Sequence, residues 1–348
     1  MAAIDRRKYG ELSGGEAVEE ITLTNDDGWR CKVLTLGGII SELHVPDRDG
    51  NLADVVLGYD NLEDIMNPDG WPYFGCIVGR VAGRVTGGRF ILGKEEVVLN
   101  QNDGDNHLHG GVNGFDRRIW GAKTYAGKDG PSVELSYTSP DGEEGYPGEV
   151  KICVTYTLTH SGELRLEYKG EADRETPLCL TNHSYFNLSG EETIHRHRLT
   201  IPTSKKICCD EVFTLNDLIE DIGGKAEDFQ GGKALGGVLE DSHHDHFGLY
   251  YIGPKASDPR LVAVLEDPKS GRVLEALSTE SSLQLYCACY LEAEKSGKEG
   301  RSYQPHSAVC LETQGYSNGV NVPDVENIMI TPDCPYRQLT IFRFSHRA

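Results

Sequence analysis

Polar side chains able to hold protons, metal ions or hydroxyls gather in five short stretches of the 348-residue chain. GRVAGRVTGG carries Arg80 and Arg84 between glycines, and NHLHGGVNGFDRRIW carries His107 and His109. NHSYFNLSG sets Asn182, His183 and Asn187 around Tyr185 and Phe186; SHHDHFGL brings His243, His244, Asp245 and His246; CLETQGYSNGVN brings Glu312 and Gln314. Taken singly, most have a plain structural reading. A glycine-flanked arginine is usually ion-paired at the surface, His109 fits a turn-capping loop residue, and His183 fits a hydrogen-bonded core histidine. Glu312 differs, because it follows the apolar run Val309-Cys310-Leu311 and a carboxylate is costly to bury without a partner or a function. The HHDH run has the ligand types of a metal site. Consecutive residues on a strand point to opposite faces, however, so they cannot converge on one ion. No metal is expected.

The elements that must position these groups are strands. In VKICVTYTLT, Val150, Ile152, Val154, Tyr156 and Leu158 alternate with polar residues; after the turn His160-Ser161-Gly162, Leu164, Leu166 and Tyr168 repeat the pattern. A hairpin of half-buried strands is predicted. Similar pairs are predicted over Arg89 to Leu99, turning at Leu92-Gly93-Lys94, and over Leu261 to Leu277, turning at Asp267 to Gly271. Further strands are expected at Ile21 to Thr24, Cys31 to Leu36, Val133 to Tyr137, Ser282 to Cys289 and Gln338 to Phe344. Helical periodicity is short-lived, with Asn61 to Met66 and Asn216 to Ile219 as its best segments. Asp221 to Gly237, rich in glycine and charge, is expected to be a surface loop without chemistry. The pattern is an all-β, sandwich-like fold of antiparallel sheets, read as one domain over residues 1–348.

Composition agrees. The 41 glycines and 15 prolines demand many turns and disfavour a helical bundle. With 34 basic against 55 acidic residues the chain carries −21 at pH 7, which repels nucleic acids and anionic membrane surfaces. The opening MAAIDRRKYGELSGGEAVEE has no apolar stretch of a secretory leader, and no segment is apolar enough to span a bilayer. A cytoplasmic protein is expected, with its ten cysteines reduced and, lacking paired ligand spacing, holding no structural zinc.

In this order GRVAGR, NHLHGG followed by GFDRRIW, DGEEGYPG (Asp141 to Gly148), NHSYFNL, a DHF segment and LETQ followed by VN resemble the landmarks of the aldose 1-epimerase family. The resemblance runs from Gly37 to Phe344. It implies a large antiparallel β-sandwich of the mutarotase supersandwich type, no cofactor, and a small sugar as partner, handled by a monomer or weak homodimer. It also implies interconversion of the α and β anomers of a hexose such as D-glucose or D-galactose. By that resemblance Glu312 is the general base and His183 the general acid, and His109 stands beside the ring oxygen. Arg84 and Asp245 would hold sugar hydroxyls, and Gln284, in SSLQLY, would line the pocket.

The chain also departs from the family pattern. Gly83 replaces an asparagine beside Arg84. The segment His244-Asp245-His246-Phe247 is one residue short, so that either Asp245 or His244 takes the aspartate's place. Cys287-Ala288-Cys289 replaces a Thr-Gly-Asn stretch, which would strip polar groups from a pocket wall. These changes spare the acid and base, and they open the alternative of a different cyclic hemiacetal as substrate. A non-catalytic carbohydrate-binding module is a third reading; the retention of both Glu312 and His183 argues against it.

Overall fold

The structure, a computed structural model, describes residues 1–67, 72–210, 214–241, 247–291, 297–322 and 325–347, without the side chains of Asp241 and Phe247. The segments read as a hairpin from their period-two sequences form two of its long strands. Val150–Leu158 and Glu163–Ala172 pair antiparallel, Val150 opposite Ala172 and Leu158 opposite Leu164. Their apolar positions are buried, and Lys151, Glu167 and Lys169 face solvent, the division that a strand with one wet face requires.

This hairpin belongs to a nine-stranded antiparallel sheet. Gly121–Ala126, Pro131–Ser139 and the hairpin are followed in space by Tyr336–His346, Arg272–Ser278, Arg260–Glu266, Arg198–Thr200 and Lys233–Ala234. A six-stranded antiparallel sheet packs against it, in the order Tyr185–Phe186, Val309–Gln314, Ser282–Tyr286, Phe247–Tyr251, Lys205–Cys209, Leu215–Asp221. One hydrophobic core draws Leu283, Leu285, Val309 and Leu311 from the smaller sheet and Leu166, Ala276 and Phe342 from the larger. It also takes Ile21, Val33 and Leu43 from a five-stranded sheet that opens the chain between Ala3 and Asp54. A side chain such as Leu311, 1% exposed, contributes roughly 1.5–3 kcal/mol by leaving water.

Alternation also explains how this sandwich presents chemistry. On Val309–Gln314, Val309 and Leu311 enter the core and Thr313 bonds Thr340 across the sheets at 2.6 Å. Cys310, Glu312 and Gln314 therefore project from the opposite face. All six residues are buried, so something must cover that second face.

The hairpins around Gly93 and between Arg260 and Ser278 form as expected, and Asn61 caps a short helix, Leu62–Met66, by accepting the Asp64 amide at 2.9 Å. Other expectations are corrected. Asn216 to Ile219 is not helical; it lies in the strand Leu215–Asp221, where Ile219 pairs with Ile207. Four residues carry too little periodicity to outweigh a neighbouring strand's free edge. The expected loop Asp221 to Gly237 holds the strand Lys233–Ala234 and the start of a helix, Leu235–Asp241. That helix buries Leu235, Val238 and Leu239 at helical spacing, a stripe hidden in the sequence by Gly236-Gly237. The strand expected to reach Cys289 stops at Tyr286, since Ala288 adopts φ +51°. None of the ten cysteines forms a disulfide. No helix among the described residues is long and apolar enough to cross a membrane.

Candidate active site

The outer face of the six-stranded sheet floors a cavity of about 500 Å³. Register sets a row across that floor: Glu312 lies opposite Gln284, Gln284 opposite Leu249, and Leu249 opposite Ile207. Arg84, Asp103, His109 and His183 stand around the row, and Tyr73, Tyr185, Tyr286 and Tyr290 add aromatic walls. The structure thus brings together Arg84, His109, His183, Gln284 and Glu312. The expected sugar-binding Asp245, with its alternative His244, lies outside the described residues.

His183 is fixed through its backbone. The pair Thr181–Asn182 with Ile77–Val78 sets the chain, the His183 backbone amide donates to the Cys76 carbonyl at 3.0 Å, and the Asn182 side-chain Nδ2 donates to the Gly75 carbonyl at 2.8 Å. Its ring stacks between Tyr185 and Tyr73, at centroid distances of 5.1 and 5.9 Å. His183 Nε2 lies 3.6 Å from Glu312 Oε1. His183 Nδ1 and Glu312 Oε2, both buried, have no hydrogen-bond partner. Burial raises the Glu312 carboxyl to about 8 and lowers the His183 imidazole to about 4, because removal from water penalises each charged form. The two groups consequently hold one proton between them from about pH 4 to about 8.

His109 plays a different part. Its amide donates to the Gly83 carbonyl at 3.0 Å, and the Gly83 amide donates back to His109 Nδ1 at 3.1 Å. The second bond occupies the Nδ1 lone pair, so Nε2 carries the hydrogen. Burial first, and then His183, Arg84 and His107, hold the His109 imidazole well below its usual range; it is a neutral donor. Ligand atoms of His109, His183 and Glu312 lie within 4.8 Å of one another, a set whose types and spacing suit a transition metal. The Gly83 bond turns the third lone pair into an N–H, which suits a hydrogen bond to an oxygen better than a metal ion.

The two arginines of GRVAGR divide their work. Arg80 is buried and donates to Ser139 Oγ at 2.8 Å and to the Pro147 and Pro140 carbonyls at 3.0 and 2.9 Å; it holds loops together. Arg84 reaches the cavity, its Nε donating to Asp103 Oδ2 at 2.6 Å. Gln284 Nε2 donates to the Leu285 carbonyl at 3.1 Å. Cys287-Ala288-Cys289 does not form the expected apolar wall. Cys287 points into the main core and Ala288 into a satellite cluster, whereas Tyr286 and Tyr290, on either side, line the cavity.

Sequence reasoning did not single out Asp103, Tyr73 or Glu144. Glu144, within DGEEGYPG, is buried and clamps the His109 loop: its carboxylate accepts the Val112 and Asn113 amides at 2.9 and 3.2 Å and the Asn100 side chain at 3.0 Å. A Cβ on Gly111, at φ +97°, would lie 2.2 Å from Glu144 Oε2, so only glycine allows this approach. His107 is also structural, its Nδ1 2.6 Å from the Asn100 carbonyl and its Nε2 2.7 Å from the Tyr146 hydroxyl. The adjacent acidic pair Glu143-Glu144 inside DGEEGYPG was the available signal, without saying which of the two turns inward.

A larger crevice of about 920 Å³ runs past Glu42, Asp54 and Lys298. Its central charges are already matched: Lys298 with Asp54 at 2.6 Å, and Glu42 with Lys32 at 2.6 Å and His44 at 2.8 Å. Unpaired acid and base atoms mark the smaller cavity instead.

The family model described as aldose 1-epimerase matches residues 19–343. The galactose mutarotases of Bos taurus and Homo sapiens are 39% and 38% identical to this chain, with 99% of each chain covered. The aldose 1-epimerase of Haemophilus influenzae is 32% identical, over 90% of this chain and 91% of its own. Among solved structures, an aldose epimerase homologue from C. elegans superposes with a TM-score of 0.86 at 26% identity, covering both chains completely.

Proposed function

The chain belongs to the aldose 1-epimerase family, and from that premise we propose that it interconverts the α and β anomers of a free hexose such as D-glucose or D-galactose, with Glu312 and His183 as the proton-transfer pair. One observation carries the assignment of the pair: His183 Nε2 stands 3.6 Å from Glu312 Oε1 in the cavity, with one further atom of each group unpartnered. In the working state the shared proton resides on His183. Glu312 takes the proton of the C1 hydroxyl, the C1–O5 bond breaks with its electron pair going to O5, and O5 takes the His183 proton. The product is the open-chain aldehyde. Rotation about C1–C2 exposes the other carbonyl face, O5 attacks C1, its proton returns to His183, and Glu312 returns its own to the carbonyl oxygen. Each general acid or base step contributes typically 10²- to 10⁴-fold.

His109 Nε2–H serves as the donor beside the ring oxygen, steadying charge as it develops there. Arg84, held by Asp103, presents its guanidinium to sugar hydroxyls, and Gln284 lines the floor next to Glu312. A shared core among the three sheets supports treating the chain as one domain, and ten cysteines outside any disulfide suit a reducing, cytoplasmic setting. A binding-only module gives no reason to bury a carboxyl and an imidazole side by side with a further atom of each unpartnered, at the cost that burial imposes.

The test is optical rotation of freshly dissolved α-D-galactose. The protein should accelerate the approach to anomeric equilibrium, and Glu312→Gln should remove at least 10³-fold of kcat, on the order of what one proton-transfer group supplies, with the fold intact by circular dichroism. Near-normal activity in that variant would refute Glu312 as the base.

A further inference from the structure

One corner of the cavity takes no part in proton transfer. Gln314 follows Glu312 by two residues and so leaves the strand on the same face. Ser317 lies in the turn beyond it. Both line the cavity, and each is 1% exposed. Gln314 Nε2 donates to Ser317 Oγ at 2.7 Å. Gln314 Oε1, however, has no hydrogen-bond partner, and among the described residues the Ser317 hydroxyl hydrogen meets no acceptor. A buried amide oxygen left unpaired is destabilising. In a cavity built for ligand it marks a position whose partner arrives with the ligand.

Gly83 shows why Ser317 can stand in this corner. It adopts φ +78°, and a Cβ there would lie 2.3 Å from Ser317 Oγ and 3.5 Å from Gln314 Nε2. The volume that a side chain at position 83 would need, next to Arg84, is thus occupied by the serine hydroxyl. An acceptor and a donor on one short chain of atoms replace it.

We propose that Gln314 and Ser317 form a donor–acceptor pair for a single ring hydroxyl of the sugar, on the Gly83 and Arg84 side of the cavity. The substrate hydroxyl donates to Gln314 Oε1 and accepts from Ser317 Oγ. A sugar with that hydroxyl missing or inverted leaves both protein groups unpaired, so the pair selects among hexoses and does not alter the chemistry at C1. The assignment rests on the epimerase reading and adds to it the determinant of substrate choice.

The experiment measures binding and rate separately. Dissociation constants for D-galactose, D-glucose and the 2-, 3-, 4- and 6-deoxy galactoses are obtained by calorimetry for the wild-type protein and for Ser317→Ala, with anomerisation kinetics alongside. One deoxy sugar should bind the wild type about tenfold more weakly than its parent. Ser317→Ala should weaken the parent by about the same factor and that one deoxy sugar by less than about twofold, since the contact is already absent. KM should follow binding, with kcat changed less than about threefold, because the pair touches no reacting atom. Ser317→Cys, which preserves the volume and weakens the donor, should reproduce the pattern. Equal weakening of every sugar, or none, would overturn the pair. Sugar binding without acceleration by the wild type would overturn the epimerase reading while the dissociation constants still decide the pair, and no binding of any hexose would overturn both.

Discussion

Glu312 and His183 are informative together because burial moves them in opposite directions. Separately they are a carboxyl near 8 and an imidazole near 4; as a pair they are a one-proton system whose ionic arrangement, carboxylate with imidazolium, is the form that opens a hemiacetal. Gain or loss of a proton by the pair stops turnover. The expected kcat/KM profile is therefore level from about pH 4 to about 8 and falls about tenfold per unit above that, as the last proton leaves. Polarimetry with the uncatalysed rate subtracted at each pH checks this, and a profile breaking near pH 6.5 would assign control to an ordinary histidine. Glu312 was legible in the sequence because a charge interrupts an apolar strand. Asp103 was not, since its role depends on Arg84, 19 residues earlier, meeting it through the fold. The significance of Gly83 was legible only in part: a missing side chain is visible in sequence, but the serine filling its place, more than 200 residues on, is not.

Among elements, the strand Val309–Gln314 and the His109 loop achieve precision by different means. The strand needs only its register, although its sequence, an apolar run of three followed by Glu312, Thr313 and Gln314, lacks the clean alternation of the Val150–Thr159 segment. The loop has no ladder beyond the two-residue pairing of His107–Leu108 with Arg84–Val85, and Glu144 supplies the missing rigidity by accepting two loop amides. Nothing in the local pattern of DGEEGYPG tells which of its two adjacent glutamates faces that loop. Glu144→Gln replaces an acceptor oxygen by a donor facing an N–H. It should lower kcat at least tenfold, since small misplacements of a catalytic group are costly. Glu143→Gln is the control, because Glu143 holds Arg118 at 2.9 Å and Tyr137 at 2.5 Å, neither of which lines the cavity. It should reduce stability and leave kcat within about threefold, on the reasoning that only groups positioning reacting atoms move kcat. Equal kinetic losses in both variants would remove the distinction. The same dependence on distant partners explains Leu215–Asp221, which is a strand because Lys205–Cys209 offers it an edge.

For the molecule as a whole, a site that keeps an acid and a base out of water is a burden on folding, and its size depends on pH. In the unfolded chain Glu312 and His183 titrate near their ordinary values of 4.5 and 6.5. Between those values unfolded and folded chains each hold one proton on this pair, on His183 when unfolded and on Glu312 when folded, so the pair adds no slope. From about 6.5 to about 8 the unfolded pair is empty and the folded pair retains its proton. Folded protein binds more protons there, so stability falls as pH rises, by about 2 kcal/mol over the interval. Glu312→Gln removes the titrating group and should flatten that part of the profile, melting a few degrees above the wild type at pH 8 and closer to it at pH 6.5. Thermal melts of both proteins across pH 6 to 8.5 measure the difference directly, with every other titration cancelled by the comparison. Parallel curves would mean that Glu312 ionises in the fold as it does in water, contradicting both its burial and its assigned readiness to accept the C1 proton. A gain in stability coupled to loss of turnover would place the opposing demands of folding and catalysis on one carboxyl group.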